Sequence, residues 1–502
     1  MFHFFRNHRD LSLWLYFTVL ATFILFFISP DSCFNGMHGR WDSAWFFMCG
    51  KAWMQGLVPY VDFSDSKGPL LWLIYGIGYL LSHTNYLGVY WISCFWYGLT
   101  FFFTYKTAHI FIPETRKAVF CTILMALAFF NPWFHNEIRA EDFALLFMMI
   151  SLYELCRLAW AETQVTSGQF FVLGCCFSAL LLIKFNLAVM QAILILVALA
   201  VCPGKQLFWR HTGTCVVGAC IVVFPFLVCF LIQGNLHAFV QEYFIRTWQT
   251  VSQAYLAMGA TSLLTRAAEN GNLLIIYLCE WTCVLDNPKI GALLLLLILG
   301  GILFSQQQPS HKYLILLVSL GIFAVTIRHN ILYYFQICAP FLLFLLVGLL
   351  RNAPMRKIGI HTALSLITVC ACTAAHVFSH NYKILAFRET PEKQGYYQMA
   401  QIVAQVKNPT IVNACDHETG IGTPGEALPA GKYWAYQTGS TPQMIAEHIN
   451  LVLSGKADFV YVRRPWLTEQ RGLTISEIEQ AGYRIVCTGG EFEDSVLLSK
   501  VL

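Results

Sequence analysis

Charged residues are scarce in this sequence: they make up 12% of its 502 residues, while 57% are hydrophobic. A soluble globular chain carries about 25% charged residues, so this scarcity excludes an ordinary soluble domain. A charge inside a bilayer is costly and persists mainly where it has a function. The composition therefore predicts a membrane protein, in which the few charged residues deserve individual inspection.

Several motifs that would indicate other classes of protein are missing. The absence of a Walker A motif, of HExxH and of Gly-x-Ser-x-Gly argues against an ATPase, a zinc protease and a serine hydrolase. No basic block or aromatic-interleaved basic stripe indicates a nucleic-acid partner. The segment Gly420–Gly425 matches G-x-G-x-x-G, but Pro424, Pro429 and Gly431 prevent the helix that a dinucleotide site requires, so we predict a loop there.

Cysteine is abundant, with 18 residues, but no CxxC or zinc-binding spacing occurs. Most of the cysteines lie inside apolar runs, where they behave as small hydrophobic residues. Only the pairs Cys33/Cys49 and Cys415/Cys487 fall outside such runs. A disulfide within either pair remains an open alternative.

Long hydrophobic runs dominate the first three quarters of the chain. A helix needs about 20 apolar residues to cross a bilayer. The first run, Leu11–Pro30, has no small-residue cleavage site, so we interpret it as a retained span. Ten further spans are predicted near 86–105, 118–134, 142–160, 168–184, 187–202, 212–232, 290–305, 313–328, 331–350 and 358–378.

The distribution of lysine and arginine orients these eleven spans. Arg6 and Arg9 precede the first span, which places the N-terminus in the cytoplasm. The apolar segments Pro69–Ser82 and 272–285 are too short to cross, so we predict interfacial helices on the outer side. With this count the short basic loops lie in the cytoplasm, and the tail lies outside.

The composition changes near residue 380, where Gly, Pro, Asn and charged residues return. Short apolar runs alternate there with helix-like stretches, which predicts a small α/β domain. We therefore divide the chain into a membrane domain, 1–379, whose outer loop spans 31–85, and an extracytoplasmic domain, 380–502.

Polar side chains collect in the loops that are predicted to face outside. The first outer loop carries Asp42, Asp62, Asp65 and Lys67 in an otherwise aromatic and apolar stretch. The same side holds Arg139, Glu141 and Asp142 before the fourth span, Lys184 at the end of the fifth, and Arg328 and His329 between the ninth and tenth. The basic groups could bind a phosphate, and a carboxylate could accept a proton from an incoming hydroxyl or amine.

Each of these residues also has a purely structural interpretation. Asp42 could cap a helix over Ser43–Met54, and Glu141 or Asp142 could cap the fourth span. The other two loop acids could form Asx turns. Lys184 and Arg328 could be lysine and arginine side chains that reach the membrane interface. Their joint position on one side of the membrane favours a functional site.

The first outer loop resembles that of GT-C glycosyltransferases. The residues that carry the resemblance are Asp42-Ser43-Ala44-Trp45, the stretch Gly56-Leu57-Val58-Pro59-Tyr60 and Lys67-Gly68-Pro69-Leu70. They are most similar to the branch of protein O-mannosyltransferases and lipid A aminoarabinose transferases. Glu141-Asp142 is similar to the second acidic motif of that family, and Tyr333-Tyr334, near Arg328-His329, to its late aromatic and basic element.

The resemblance implies a polytopic α-helical membrane protein of the GT-C fold that uses a polyprenyl-phosphate sugar donor. It implies Asp42 as the catalytic base, with Glu141 or Asp142 as its partner. The donor phosphate would be bound by Lys67, Arg139, Lys184, Arg328, His329 and Tyr333. The acceptor, a lipid, glycan or protein, and the need for a divalent metal ion stay open. The bacterial character of the resemblance implies the inner membrane.

Two other functions remain as alternatives to a glycosyltransferase. A transporter or flippase for lipid-linked sugars would place charges at mid-membrane and would contain repeated halves. A polymerase of lipid-linked sugars would share the outer site. Here the charges gather at one face and no repeat is visible.

Overall fold

The structure is a computed structural model. It describes residues 8–37, 39, 41–130, 137–160, 166–200, 205–249, 332–351, 395–414, 420–435, 440–489 and 493–501. The predicted spans near 290–305, 313–328 and 358–378 and the short segment 272–285 lie outside the described residues. So do Arg6, Arg328, His329 and the side chain of Tyr333.

Helices form nearly all of the described chain before residue 352. They are α1 (His8–Ile28), α2 (Trp41–Met54), α3 (Pro69–Leu81), α4 (Leu87–Phe111), α5 (Thr115–Leu124), α6 (Ala126–Phe129), α7 (Ala140–Trp160), α8 (Ser167–Ile183), α9 (Phe185–Ala200), α10 (Lys205–Ile232) and α11 (Leu236–Phe239). A π-helix (Val240–Arg246), a 3-10 helix (Leu332–Phe341) and α12 (Leu342–Arg351) complete this part.

Three of the described helices are long and apolar enough to cross a membrane: α1, α4 and, from Gln206, α10. Helix α3 has 13 residues, so at about 1.5 Å per residue it falls short of a bilayer core about 30 Å thick. The sequence placed a short interfacial helix at this position. Within the predicted span near 118–134, α5 ends at Leu124 and α6 begins at Ala126.

The helices pack through small residues where their backbones approach closely. Helices α8 and α10 are in extensive contact. A Cβ on Gly174 of α8 would lie 1.9 Å from the Cys215 carbonyl oxygen, and a Cβ on Gly218 of α10 would lie 2.1 Å from that of Phe171. Small residues allow this approach, as in other membrane helix pairs.

The chain after residue 394 contains a mixed sheet. Its elements are α13 (Gly395–Val403), β1 (Thr410–Asn413), β2 (Leu428–Pro429), α14 (Pro442–Leu453), β3 (Phe459–Arg463), α15 (Arg464–Arg471), α16 (Ile475–Gln480), β4 (Arg484–Thr488) and β5 (Ser495–Ser499). The strand order is β2-β1-β3-β5-β4. Strand β1 runs parallel to β2 and β3, whereas β5 is antiparallel to β3 and β4. The domain boundary at residue 380 stays a prediction.

This C-terminal region is docked on helix α2 and the turns around it. The Lys51 ammonium donates to the Gly422 carbonyl at 2.8 Å, and the hydroxyls of Tyr86 and Thr423 are 2.8 Å apart. The G-x-G-x-x-G segment is thus a loop, as predicted, and it packs on the helical part. The rings of Trp45 and Trp434 add an aromatic contact, with centroids 5.0 Å apart.

The structure decides one of the two possible disulfides that the sequence left open. Cys33 is an exposed free thiol, so the Cys33–Cys49 bridge is not formed. Cys487 is also a free thiol, while Cys415 lies outside the described residues.

Candidate active site

Acidic and basic side chains meet where helices α1, α2, α7 and α8 come together, at the ends predicted to face outside. This acid–base cluster consists of Asp31, Asp42, Glu137, Arg139, Glu141, Asp142 and Lys184. All of its members except Asp42 are buried, and Asp42 is half-buried. Five of these residues were predicted site residues; Asp31 and Glu137 were not.

Glu137 is the carboxylate that links the first outer loop to helix α7. It accepts the Ser43 amide hydrogen at 3.1 Å and the Arg139 Nε hydrogen at 2.7 Å. Burial raises the pKa of Glu137 to about 7; the Arg139 charge and these hydrogen bonds oppose the rise, and the Asp42 charge adds to it. The acid next to Asp42 is therefore Glu137, whereas the resemblance pointed to Glu141 or Asp142.

Asp42 lies in the first turn of helix α2, which begins at Trp41 and not at Ser43. It is therefore not the residue before the helix, as a simple N-cap would be. A negative charge in the first turn is still favourable, because the helix dipole is positive there. The residue is partly exposed.

Asp142 has a structural role, which the capping interpretation anticipated. One carboxylate oxygen accepts the Arg139 amide hydrogen at 2.7 Å, immediately before helix α7. The other accepts hydrogens from the Tyr97 hydroxyl and, at 2.7 Å, from the Gln336 amide. Asp142 thus ties α7 to α4 and to the 3-10 helix.

Glu141 points to a different neighbour from Asp142, although the two residues are adjacent. Its carboxylate pairs with the Lys184 ammonium at 2.5 Å, and both side chains are buried. Lys184 follows the last residue of α8, so this ion pair joins the ends of α7 and α8. Lys184 is therefore a buried partner of Glu141 and not a side chain that reaches out to the interface.

The remaining predicted residues of the first loop form two local contacts. Asp62 accepts the Val58 amide hydrogen at 2.7 Å, which closes a turn. Asp65 accepts the Ser66 amide hydrogen at 2.6 Å and lies 3.7 Å from the Lys67 ammonium. Both aspartates thus support turns, the structural alternative considered above, and Asp65 also neutralises Lys67.

Gly68 brings the loop that carries Lys67 against the end of helix α8. Its amide donates to the Ile183 carbonyl at 2.9 Å. A Cβ at this position would lie 2.1 Å from the Leu182 carbonyl oxygen, so the contact requires glycine. The segments that carry Lys67 and Lys184 are therefore in direct backbone contact.

Asp31 is the cluster residue that the sequence reasoning passed over. It is fully buried, and neither of its carboxylate oxygens has a hydrogen-bond partner among the described residues. Burial raises its pKa well above the ordinary value, and the charges of Glu137 and Asp142 add to the effect. Its position directly after the first apolar run was the available signal.

The acid–base cluster contains no group of three potential metal ligands within the part of the chain that the structure describes. No three His, Cys, Asp or Glu side chains are arranged there to hold an ion. The positive charges that face the carboxylates are instead those of Arg139 and Lys184.

No protein-family model and no curated protein matches this sequence. Solved structures do match. ArnT from Cupriavidus metallidurans bound to undecaprenyl phosphate is 12% identical with a TM-score of 0.56, over 97% of this chain and 98% of ArnT. Its apo state is 11% identical with a TM-score of 0.54, over 98% of both chains. A mutant of the arabinofuranosyltransferase AftD from Mycobacteria is 12% identical with a TM-score of 0.50, over 97% of this chain and 41% of AftD.

These similarities extend over almost the whole chain, and they show that it has the fold of the GT-C glycosyltransferases. The fold class inferred from the first outer loop is thereby confirmed. Together with its apolar helices, the fold identifies a helical membrane protein. The count of eleven spans and the orientation of the termini stay predictions.

Proposed function

We propose that this protein is a glycosyltransferase that moves a sugar from a polyprenyl-phosphate donor to an acceptor at the outer face of the membrane. The observation that carries the proposal is the acid–base cluster, in which a half-buried Asp42 lies beside Glu137 and close to paired cations. The undecaprenyl phosphate bound to ArnT supports the choice of donor, because the two chains share a fold.

Asp42 is the proposed general base. Its carboxylate removes the proton from the acceptor hydroxyl or amine while that atom attacks the anomeric carbon of the sugar. The bond between this carbon and the donor phosphate oxygen breaks, and polyprenyl phosphate leaves with the electron pair.

Lys67 of the first outer loop and the basic residues of the cluster would stabilise the departing phosphate. Lys67 is the leading candidate, since its 3.7 Å contact with Asp65 is loose enough to be exchanged for a phosphate oxygen. Arg139 and Lys184 keep close carboxylate partners, so they would act mainly by holding positive charge beside the site. Arg328, His329 and Tyr333 retain the phosphate-binding role that the resemblance implies.

The C-terminal region is proposed to shape access for the acceptor, which would be a lipid, glycan or protein. The support is its contact with helix α2, in which Trp434 packs on Trp45, three residues after Asp42. We further propose that the protein resides in the inner membrane with its N-terminus in the cytoplasm, so that donor, acceptor and C-terminal region share the outer face.

The test is transfer of labelled sugar from polyprenyl-phosphate donors in purified membranes, comparing the native chain with Asp42→Asn. Loss of a general base is expected to lower the rate by about 100-fold or more. Asp62→Asn is the matched control, because an asparagine oxygen can still accept the Val58 amide hydrogen that closes the turn. Undiminished transfer by Asp42→Asn would refute the assignment of the base. Movement of the donor lipid across the vesicle membrane without any sugar transfer would favour the flippase alternative.

A further inference from the structure

The segment Val240–Arg246 is a π-helix, a rare form that occurs mostly as single turns and frequently at functional sites. Three of its side chains, Glu242, Tyr243 and Arg246, are buried. No sequence motif singles out this segment. Its contacts nevertheless reach both segments that carry the lysines of the proposed donor site.

Tyr243 contacts the end of helix α8. Its hydroxyl donates to the Leu181 carbonyl, three residues before Lys184. The same hydroxyl lies against Gly68, where a Cβ would be only 2.9 Å away. The ring is held from behind by Phe239, with centroids 5.7 Å apart and planes 15° from parallel. Tyr243 therefore fixes the α8 end relative to the loop that carries Lys67.

Glu242 holds the other side of that loop. Its carboxylate accepts the Ser64 hydroxyl hydrogen at 3.1 Å and the Tyr433 hydroxyl hydrogen at 3.1 Å. It also pairs with Arg246 at 2.9 Å and with Lys432. One buried carboxylate thus joins the first outer loop, the π-helix and the C-terminal region.

Ser64 is the loop residue that bonds to these partners. Its hydroxyl also accepts a hydrogen from Arg246 at 3.0 Å, and its amide donates to the Lys432 carbonyl at 3.0 Å. Ser64 lies three residues before Lys67, and Gly68 lies one residue after it. The loop is therefore held on both sides of Lys67 by partners that include the π-helix.

We propose that the π-helix is the positioning element of the donor site, with Tyr243 and Glu242 setting the separation of Lys184 and Lys67. This inference rests on the proposed function, in which Lys67 binds the donor phosphate and Lys184 holds positive charge beside it. Small misplacements of binding groups have large effects on transfer, because the bound geometry must be close to that of the reaction. Neither residue contacts the donor in this scheme; both act through the lysine-bearing segments.

The variants Tyr243→Phe and Glu242→Gln test the proposal. Matched controls are Tyr483→Phe, which removes a buried hydroxyl that donates to the Ala457 carbonyl at 2.9 Å, and Glu447→Gln on the exposed face of α14. We expect the KM for the polyprenyl-phosphate donor to rise about tenfold in each test variant, which corresponds to about 1.4 kcal/mol. The kcat should also fall, because the displaced lysines stabilise the departing phosphate less well, whereas kcat and KM should stay native in both control variants.

A second measurement does not depend on activity. Hydrogen–deuterium exchange of peptides covering 62–68 and 181–184 should be faster in both test variants than in the native chain and the controls. Unchanged exchange and unchanged donor KM in an active protein would overturn the positioning role while leaving the glycosyltransferase intact. If the native chain transfers no sugar, the proposed function fails, and the exchange data still decide whether the π-helix holds the two segments.

Discussion

Replacing Glu137 by glutamine removes one negative charge from the acid–base cluster and keeps the shape of the side chain. Glu137 is 1% exposed, and its pKa rises from 4.5 to about 7 because burial penalises the charged form. At about 1.4 kcal/mol per pKa unit, ionising this residue in the folded protein costs about 3 kcal/mol more than in the unfolded chain.

The sign of the effect follows from the direction of the shift. The folded protein holds the proton of Glu137 more tightly than the unfolded chain does. The associated stability is therefore full below pH 4.5 and is lost as the pH rises through about 7. Glu137→Gln has no such proton, so its stability should fall less between pH 5 and 8.

Thermal unfolding of the detergent-purified protein between pH 5 and 8 measures the difference. With an unfolding entropy of about 2 cal/mol/K per residue, 3 kcal/mol corresponds to a Tm change on the order of 3 °C for this chain. Glu447→Gln, at an exposed position, should keep the native slope. Parallel Tm–pH curves for Glu137→Gln and the native chain would show that Glu137 does not titrate near pH 7, and the reasoning from its burial would be refuted.

Two further predictions concern the loop geometry and the topology. Gly68→Ala should lower the unfolding free energy by about 1–3 kcal/mol and raise the donor KM, because the added Cβ overlaps the Leu182 carbonyl. Gly213→Ala is the control, because Gly213 has open space around it, and this variant should change neither quantity. Equal effects of the two substitutions would contradict the contact. Cys33 is exposed and predicted to face outside, so a membrane-impermeant maleimide should label it in intact cells. Labelling that requires permeabilisation, or that is no weaker in Cys33→Ser than in the native chain, would overturn this placement.

The sequence identified the region of the site better than the role of each residue in it. Residues 137–142 contain four charged side chains besides Ile138 and Ala140, and the sequence could not assign their partners. The partners depend on where helix α7 begins. Glu137 precedes the helix and meets α2, whereas Glu141 and Asp142, in its first turn, face α8 and α4. A difference of one residue on a helix is a rotation of about 100°, which no motif specifies.

The contacts of the π-helix could not be predicted from the sequence for a different reason. Glu242 and Tyr433 are 191 residues apart, and no local pattern relates them. The first-loop motif, by contrast, is contiguous, and its Gly68 is required by the close contact with the Leu182 carbonyl. Local signals thus predicted the fold class and the outer loop, while long-range packing decided which side chains support them.

The contact between Lys51 and the Gly422 carbonyl also has a consequence for the time course of synthesis. These residues are 371 positions apart, so helix α2 is made long before its buried ammonium can meet this acceptor. At about 5–20 residues per second, translation of the intervening chain takes about 20–70 s. Throughout that interval the first outer loop lacks its contacts with the C-terminal region. A nascent chain that stops before Gly422 therefore lacks the acceptor of this buried ammonium.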